Sequence, residues 1–118
     1  MEFEKAILAH KKWKDRLRDS ISGGSKLDPK QVESDSQCEL GKWIHGEGRA
    51  FAALPEFRAV REAHAQFHAC AAGVVRKSAA MAPAEALKLL EIGSDYARAT
   101  SNCIHSLKRL SGTPALQG

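Results

Sequence analysis

A chain of 118 residues can form one folded domain with a buried core but is short for two. Its 43% hydrophobic and 27% charged residues are ordinary for a globular protein, and the net charge of +4 comes from stretches in which acids are interleaved with basic residues. No nucleic-acid recognition motif, signal peptide or membrane-spanning apolar stretch is visible, and three irregularly spaced cysteines do not form a disulfide framework. We therefore expect a cytoplasmic protein that binds neither nucleic acid nor a membrane.

Residues 2–22 have the pattern of an amphipathic helix. Apolar side chains and one histidine recur there at three- and four-residue steps, namely Phe3, Ile7, His10, Trp13, Leu17 and Ile21. The Gly23-Gly24 pair ends the helix.

Two short helices are predicted next. Asp28 followed by Pro29 is typical of an N-cap and a first helical position. Ser36 and Glu39 form a capping box for a second short helix, which should end near His45 with Gly46 as a left-handed cap.

Two long helices are predicted in the second half, from Pro55 to about Met81 and from Pro83 to about Leu110. No strand pattern appears. The sum is an all-α protein, an antiparallel four-helix bundle with one or two short extra helices. We expect residues 1–110 to form this bundle and residues 111–118 to be a flexible tail.

The residues that could carry chemistry are histidines and one cysteine. His64 and His68 are four apart, so both imidazoles leave one face of a helix, and Cys38 lies in the first turn of its helix, where unpaired N–H groups favour a thiolate. A tetrahedral zinc needs a fourth donor. His10 occupies an apolar stripe and is the candidate, although His45 or His105 could serve on chemistry alone.

Each of these residues also has a simpler interpretation. A single histidine on an apolar face is more often a hydrogen-bonded core residue than a metal ligand. Three core-facing histidines beside a thiol favour a shared metal, because one ion satisfies several buried ring nitrogens together. Cys70 and Cys103 fit the interpretation of core or near-core thiols.

The run Cys38-Glu39-Leu40-Gly41-Lys42-Trp43, with a histidine in the preceding helix and His64 and His68 after it, resembles the chemoreceptor zinc-binding family over roughly residues 5–110. The resemblance implies a helical bundle, usually homodimeric, with zinc held by His10, Cys38, His64 and His68. It also implies a regulatory sensor of zinc or of oxidants such as hypochlorous acid. Such domains are typically fused to chemoreceptor signalling helices or to a diguanylate cyclase domain.

The chain departs from the family pattern in two ways. His45 stands where the family has an aromatic residue, and no signalling partner domain is present, so the chain is either a stand-alone version or a fragment. Met1 directly before the first helix favours a stand-alone or N-terminal module.

Two other functions compete with the sensor. A zinc hydrolase would need Glu directly after the first histidine of the pair, and that position is Ala65. Four protein ligands also leave no open position for water, so we predict no catalytic residues and no enzyme activity. The second alternative is a metal-independent helical bundle that docks a protein partner.

Overall fold

Seven α-helices and two short 3-10 helices make up the fold in a computed structural model that describes residues 1–117. The α-helices are α1 (Phe3–Ile21), α2 (Pro29–Glu33), α3 (Glu39–His45), α4 (Pro55–Ser78), α5 (Pro83–Leu87), α6 (Asp95–Ser111) and α7 (Pro114–Gln117). The 3-10 helices cover Glu47–Phe51 and Lys88–Leu90. The described residues contain no strand, so the prediction of an all-α helical bundle is confirmed.

The bundle is built around α4, which packs most extensively against α6 and also against α2 and α1. The buried face of α4 follows the helical period and includes Phe57, Val60, His64, Phe67, Ala71 and Val74. From α1, Leu17 and His10 are buried against this centre. The core is thus apolar except where the histidines enter it.

Helix α1 ends, and helix α2 begins, where the sequence predicts. Helix α1 stops at Ile21, and Gly23 takes a positive φ of 96° that an L side chain rarely adopts. Helix α2 starts at Pro29, and the carboxylate of Asp28 accepts a hydrogen bond of 3.0 Å from the N–H of Lys30. Local capping chemistry therefore sets both boundaries.

The capping of α3 differs from the prediction. Cys38, not Ser36, is the N-cap, and its Sγ accepts a hydrogen bond of 3.3 Å from the N–H of Gly41. The thiol takes the role expected of a serine hydroxyl. Gly46 has φ −116° rather than a left-handed value, because the chain passes from it directly into the Glu47–Phe51 3-10 helix.

The prediction of one helix from Pro83 to Leu110 is wrong. Helix α5 gives way to the Lys88–Leu90 3-10 helix, and a turn at Gly93, with φ 91°, precedes α6. The Ser94 hydroxyl caps α6 by accepting the N–H of Ala97 at 3.1 Å. Gly93 directly before the N-cap Ser94 is a sequence signal for a helix break, but the apolar periodicity continues across it and favours one long helix.

Helix α6 buries one apolar face against the core. Its buried residues are Tyr96, Ala99, Cys103, Leu107 and Leu110. Ala97 and Ile104, beside that face, are only partly buried.

The C-terminal segment carries the short helix α7, from which Leu116 packs against the core cluster. Gly118, the last residue of the predicted tail, lies outside the described residues. Within residues 1–117, no helix combines the length and the apolar character needed to span a membrane.

Candidate metal centre

His10 reaches the centre of the bundle from α1, and 2% of its surface is exposed. Its Nδ1–H donates a hydrogen bond of 2.7 Å to the carbonyl oxygen of Ala6, one turn earlier. A neutral imidazole that donates from Nδ1 keeps a lone pair on Nε2. That Nε2 atom is buried and has no hydrogen-bond partner. His10 therefore presents a free nitrogen donor to the interior.

His64 and His68 enter the same region from consecutive turns of α4, and their exposed fractions are 0% and 2%. The Nε2 atoms of the two rings lie 3.1 Å apart. The Nδ1–H of His68 donates to the carbonyl oxygen of Val32 in α2, at 2.8 Å, which fixes the ring and leaves its Nε2 unprotonated. The Nδ1 atom of His64 is buried without a hydrogen-bond partner.

Cys38 completes the group from the N-terminus of α3 and is half-buried. Its Sγ lies 3.2 Å from Nε2 of His64 and 3.8 Å from Nε2 of His68. Gly41 makes this approach possible, because a Cβ there would lie 1.8 Å from the carbonyl oxygen of Asp35. The segment before Cys38 thus folds back directly over the first turn of α3.

The four side chains form one compact cluster, in which one donor atom of each lies within 4.8 Å of the other three. Around a tetrahedral zinc, two nitrogens lie about 3.3 Å apart and a nitrogen and a sulfur about 3.6 Å apart, given the usual bond lengths. The nitrogen pair at 3.1 Å and the sulfur contacts at 3.2 and 3.8 Å match these edges. A short inward movement of His10 would close the coordination shell.

Burial controls the protonation of all three histidines. It lowers the pKa of His64 to about 2, with the neighbouring His68 and His10 adding to the effect. Burial also lowers the pKa of His10 and of His68, although their hydrogen bonds to Ala6 and Val32 oppose it. The imidazoles are therefore neutral at physiological pH, which is the form that binds metals.

The environment of Cys38 favours the thiol, whereas the sequence predicts that the helix N-terminus favours the thiolate. Burial raises the pKa of Cys38 above its ordinary value, and this outweighs the N–H donation from Gly41; the charge of Asp35 raises it further. A cation held by the cluster would supply the positive charge that a thiolate needs there.

The remaining histidines and cysteines lie elsewhere. His45 and His105 are exposed and take no part in the cluster. The Nε2 atom of His45 lies 3.2 Å from Oδ1 of Asp35 at the surface. Cys103 is fully buried and Cys70 partly buried, as core or near-core thiols would be.

Three supporting groups were not identified from the sequence. The i−4 spacing of Ala6 and His10 is a signal that could have revealed one of them. The Val32 carbonyl and the Asp35 backbone are brought to the site only by the tertiary fold, and no local pattern marks them.

The cluster suits a borderline-soft divalent metal. Three neutral imidazoles and one thiol are ligands typical of zinc, whereas calcium and magnesium prefer oxygen donors. A metal that took the lone pair of His10 Nε2 would give that buried atom the partner it lacks, and it would also explain why Nε2 of His64 points at Nε2 of His68. Among small helical modules, such a donor set is typical of metal-binding domains rather than of plain helical bundles.

The match to a protein family agrees with this geometry. The family model described as the chemoreceptor zinc-binding domain matches residues 10–75, more than half of the chain and all four residues of the cluster. The chain belongs to this zinc-binding family, which is regulatory rather than catalytic and occurs in signalling proteins. No curated protein and no solved structure matches the chain.

Proposed function

We propose that this protein is a zinc-binding regulatory module of bacterial signalling. His10, Cys38, His64 and His68 hold one Zn²⁺, which acts as a structural and sensory ion. The observation that carries the proposal is the approach of the four donor atoms to within 4.8 Å of one another in a buried position. The family match supports it independently of the coordinates.

Helices α1 to α4 each have a defined part in this function. Cys38 ties the start of α3 to α4, and His10 ties α1 to both, so occupancy of the site sets the spacing of three helices. The carbonyls of Ala6 and Val32 hold two of the rings in the tautomer that leaves Nε2 free. When bound, zinc favours the thiolate of Cys38 over the thiol.

The signal is zinc itself or an oxidant such as hypochlorous acid. Cys38 is the only half-exposed member of the cluster, and the other three are at most 2% exposed. Conversion of its thiolate to a sulfenic or sulfinic acid would weaken the bond to zinc. The change in helix spacing would then reach a second copy in a homodimer, or a chemoreceptor or diguanylate cyclase partner, in chemotaxis or cyclic-di-GMP control.

The proposal includes a cytoplasmic location and a folded unit of residues 1–110 followed by a short tail. All three cysteines are free thiols in the structure, as a reducing compartment requires. A module with four protein ligands has no open coordination position for a hydrolytic water, so we propose no enzyme activity.

Metal analysis of the purified protein tests this function. We expect about one zinc per chain in the wild type, as the family's coordination chemistry requires, and a large loss of zinc in His10→Ala. His105→Ala is the matched control, because His105 is exposed and outside the cluster. Absence of zinc from wild-type protein purified without chelator would refute the proposal.

The alternative function is a metal-independent interaction module, which would use exposed apolar side chains. Ile92 is 99% exposed at the turn before α6, and Leu8 on α1 is 51% exposed. Contiguous apolar patches mark protein contacts, whereas single exposed apolar side chains are common on protein surfaces. Zinc-free wild-type protein that still captures its partner would favour this function.

A further inference from the structure

A cavity of about 230 Å³ opens beside the metal cluster, between α1, α2 and the segment that leads into α3. Its lining includes two members of the cluster, Cys38 and His68, together with Trp13 and Arg16 of α1. The cavity therefore joins the surface to the half-exposed thiol.

Trp13 occupies the side of this cavity nearest α1. Its ring lies edge-on to the ring of His68, with centroids 6.0 Å apart. The guanidinium carbon of Arg16 lies 3.8 Å from the centre of the Trp13 ring, in a cation–π contact. Among residues 1–117, no carboxylate forms an ion pair with Arg16, so its stacking on Trp13 is the contact that holds it.

Charge does not distinguish ligands at this opening. Arg16 and Asp28 both line the cavity and contribute one charge of each sign. The carboxylate of Asp28 is already engaged with the N–H of Lys30. Size is therefore the property that this cavity can select.

We propose that this cavity is the access site for small thiol-directed molecules and metal-exchanging ligands, and that Trp13, held by Arg16, sets their size limit. Molecules of a few heavy atoms reach Sγ of Cys38, and bulky ones are excluded. The inference rests on the same cluster as the proposed function, but the accessibility of the thiol can be measured without metal.

Two maleimides of different size test the access site on the full chain after zinc removal. The thiolate adds to the maleimide double bond, forming one C–S bond, and the adjacent carbon takes a proton from water. N-ethylmaleimide is the small reagent and fluorescein-5-maleimide the bulky one. Trypsin separates the three cysteines, because Cys38, Cys70 and Cys103 fall in residues 31–42, 62–76 and 99–108.

We expect wild-type Cys38 to react faster with the small reagent than with the bulky one, after each rate is divided by that of Cys70, because close-packed walls exclude a group larger than the opening. Arg16→Ala should raise the rate of the bulky reagent at Cys38 about two- to fivefold, the factor that an exposed cation–π contact is worth. In Trp13→Ala, the small and the bulky reagent should react with Cys38 at similar rates. Arg18→Ala, on the same helix but outside the cavity, is the matched control and should leave both rates unchanged.

Cys103 reports unfolding, because it is 0% exposed in the folded chain. If Trp13→Ala exposes Cys103 as well, the Arg16→Ala variant decides the question, since Arg16 is a surface residue. Unchanged rates at Cys38 in Arg16→Ala, or equal wild-type rates for the two reagents, would overturn the access site. The zinc content of the same preparations before chelation tests the proposed function separately, because zinc-free protein would refute that function and leave the rate comparison intact.

Discussion

The Sγ atom of Cys38 lies 3.2 Å from the Nε2 atom of His64, although the two residues are 26 positions apart in the chain. The contact joins the N-terminus of α3 to the buried face of α4. It depends on the close approach of residue 35 to Gly41, and on the burial of His64. The consequences of this arrangement are open to direct measurement.

Zinc should stabilise the folded chain, because the cluster exists only when three helices are assembled. At a free zinc concentration 100 times the dissociation constant, the gain in free energy of unfolding is about 2.7 kcal/mol. Urea unfolding with and without zinc measures it. His64→Ala should abolish the gain, whereas His45→Ala, at an exposed position, should keep it. A zinc-dependent shift that persists in His64→Ala would contradict the assignment.

Cys38→Ala should lower zinc affinity more than Cys70→Ala, since Cys70 is outside the cluster. The Cys38→Ala substitution removes both a zinc donor and the N-cap of α3. Loss of an N-cap alone lowers the free energy of unfolding by about 1 kcal/mol. Cys38→Ser separates the two roles, because a hydroxyl caps a helix well but is a poor zinc ligand. Competition with a chromogenic chelator gives the affinities, and urea unfolding gives the stabilities. Equal zinc affinity in Cys38→Ser and the wild type would remove Cys38 from the site.

The metal-free fold should become less stable in acid. The unfolded chain takes up protons on its histidines below pH about 6.5, while folded His64, with a pKa of about 2, does not. The free energy of unfolding therefore decreases as the pH falls below 6.5. At pH 5.5 the loss from His64 alone is about 1.4 kcal/mol, and His10 and His68 act in the same direction.

Urea midpoints of the metal-free chain at pH 7.5 and 5.5 measure this dependence. His105→Gln, at an exposed histidine with no place in the cluster, should show the same loss as the wild type. A stability that is constant over this range would show that the buried histidines take up protons in the folded state as well.

Gly41→Ala should destabilise the chain and weaken zinc binding. The new Cβ would lie 1.8 Å from the carbonyl oxygen of Asp35, so the segment that carries Cys38 must move. Overpacking of this kind costs about 1–3 kcal/mol. Urea unfolding and zinc affinity are the measurements.

Gly73→Ala is the matched control for that variant. Gly73 lies inside α4, and apart from its chain neighbours and the backbone of the surrounding helical turns no atom lies within 4 Å of the position its Cβ would take. We expect it to stabilise the chain by about 0.5–1 kcal/mol, as alanine does in a helix. A Gly41→Ala variant as stable as wild type would mean that Asp35 and Cys38 can move without cost.

The sequence alone was enough for the helical class and for most helix boundaries. Helix boundaries depend on local interactions, as at Asp28 with Pro29 and at Gly23 after α1. Such boundaries can be predicted from the sequence without knowledge of the tertiary structure. The inward face of α4 follows in the same way from its 3.6-residue period. The sequence predicts one helix across the break before α6, because Leu87 and Leu90 belong to an apolar spacing that continues beyond Gly93. A hydrophobic period carries no information about a residue with positive φ.

The candidate site also has a part that local sequence predicts and a part that depends on the tertiary structure. The sequence by itself determined which residues carry zinc-type donors and that His64 and His68 share a helix face, because residue chemistry and helical spacing are local properties. Only the tertiary structure decided that His10, rather than His45 or His105, joins them, and that Cys38 serves as N-cap. Those outcomes depend on how α1, α3 and α4 pack, which is a balance of long-range contacts that no short stretch of sequence contains.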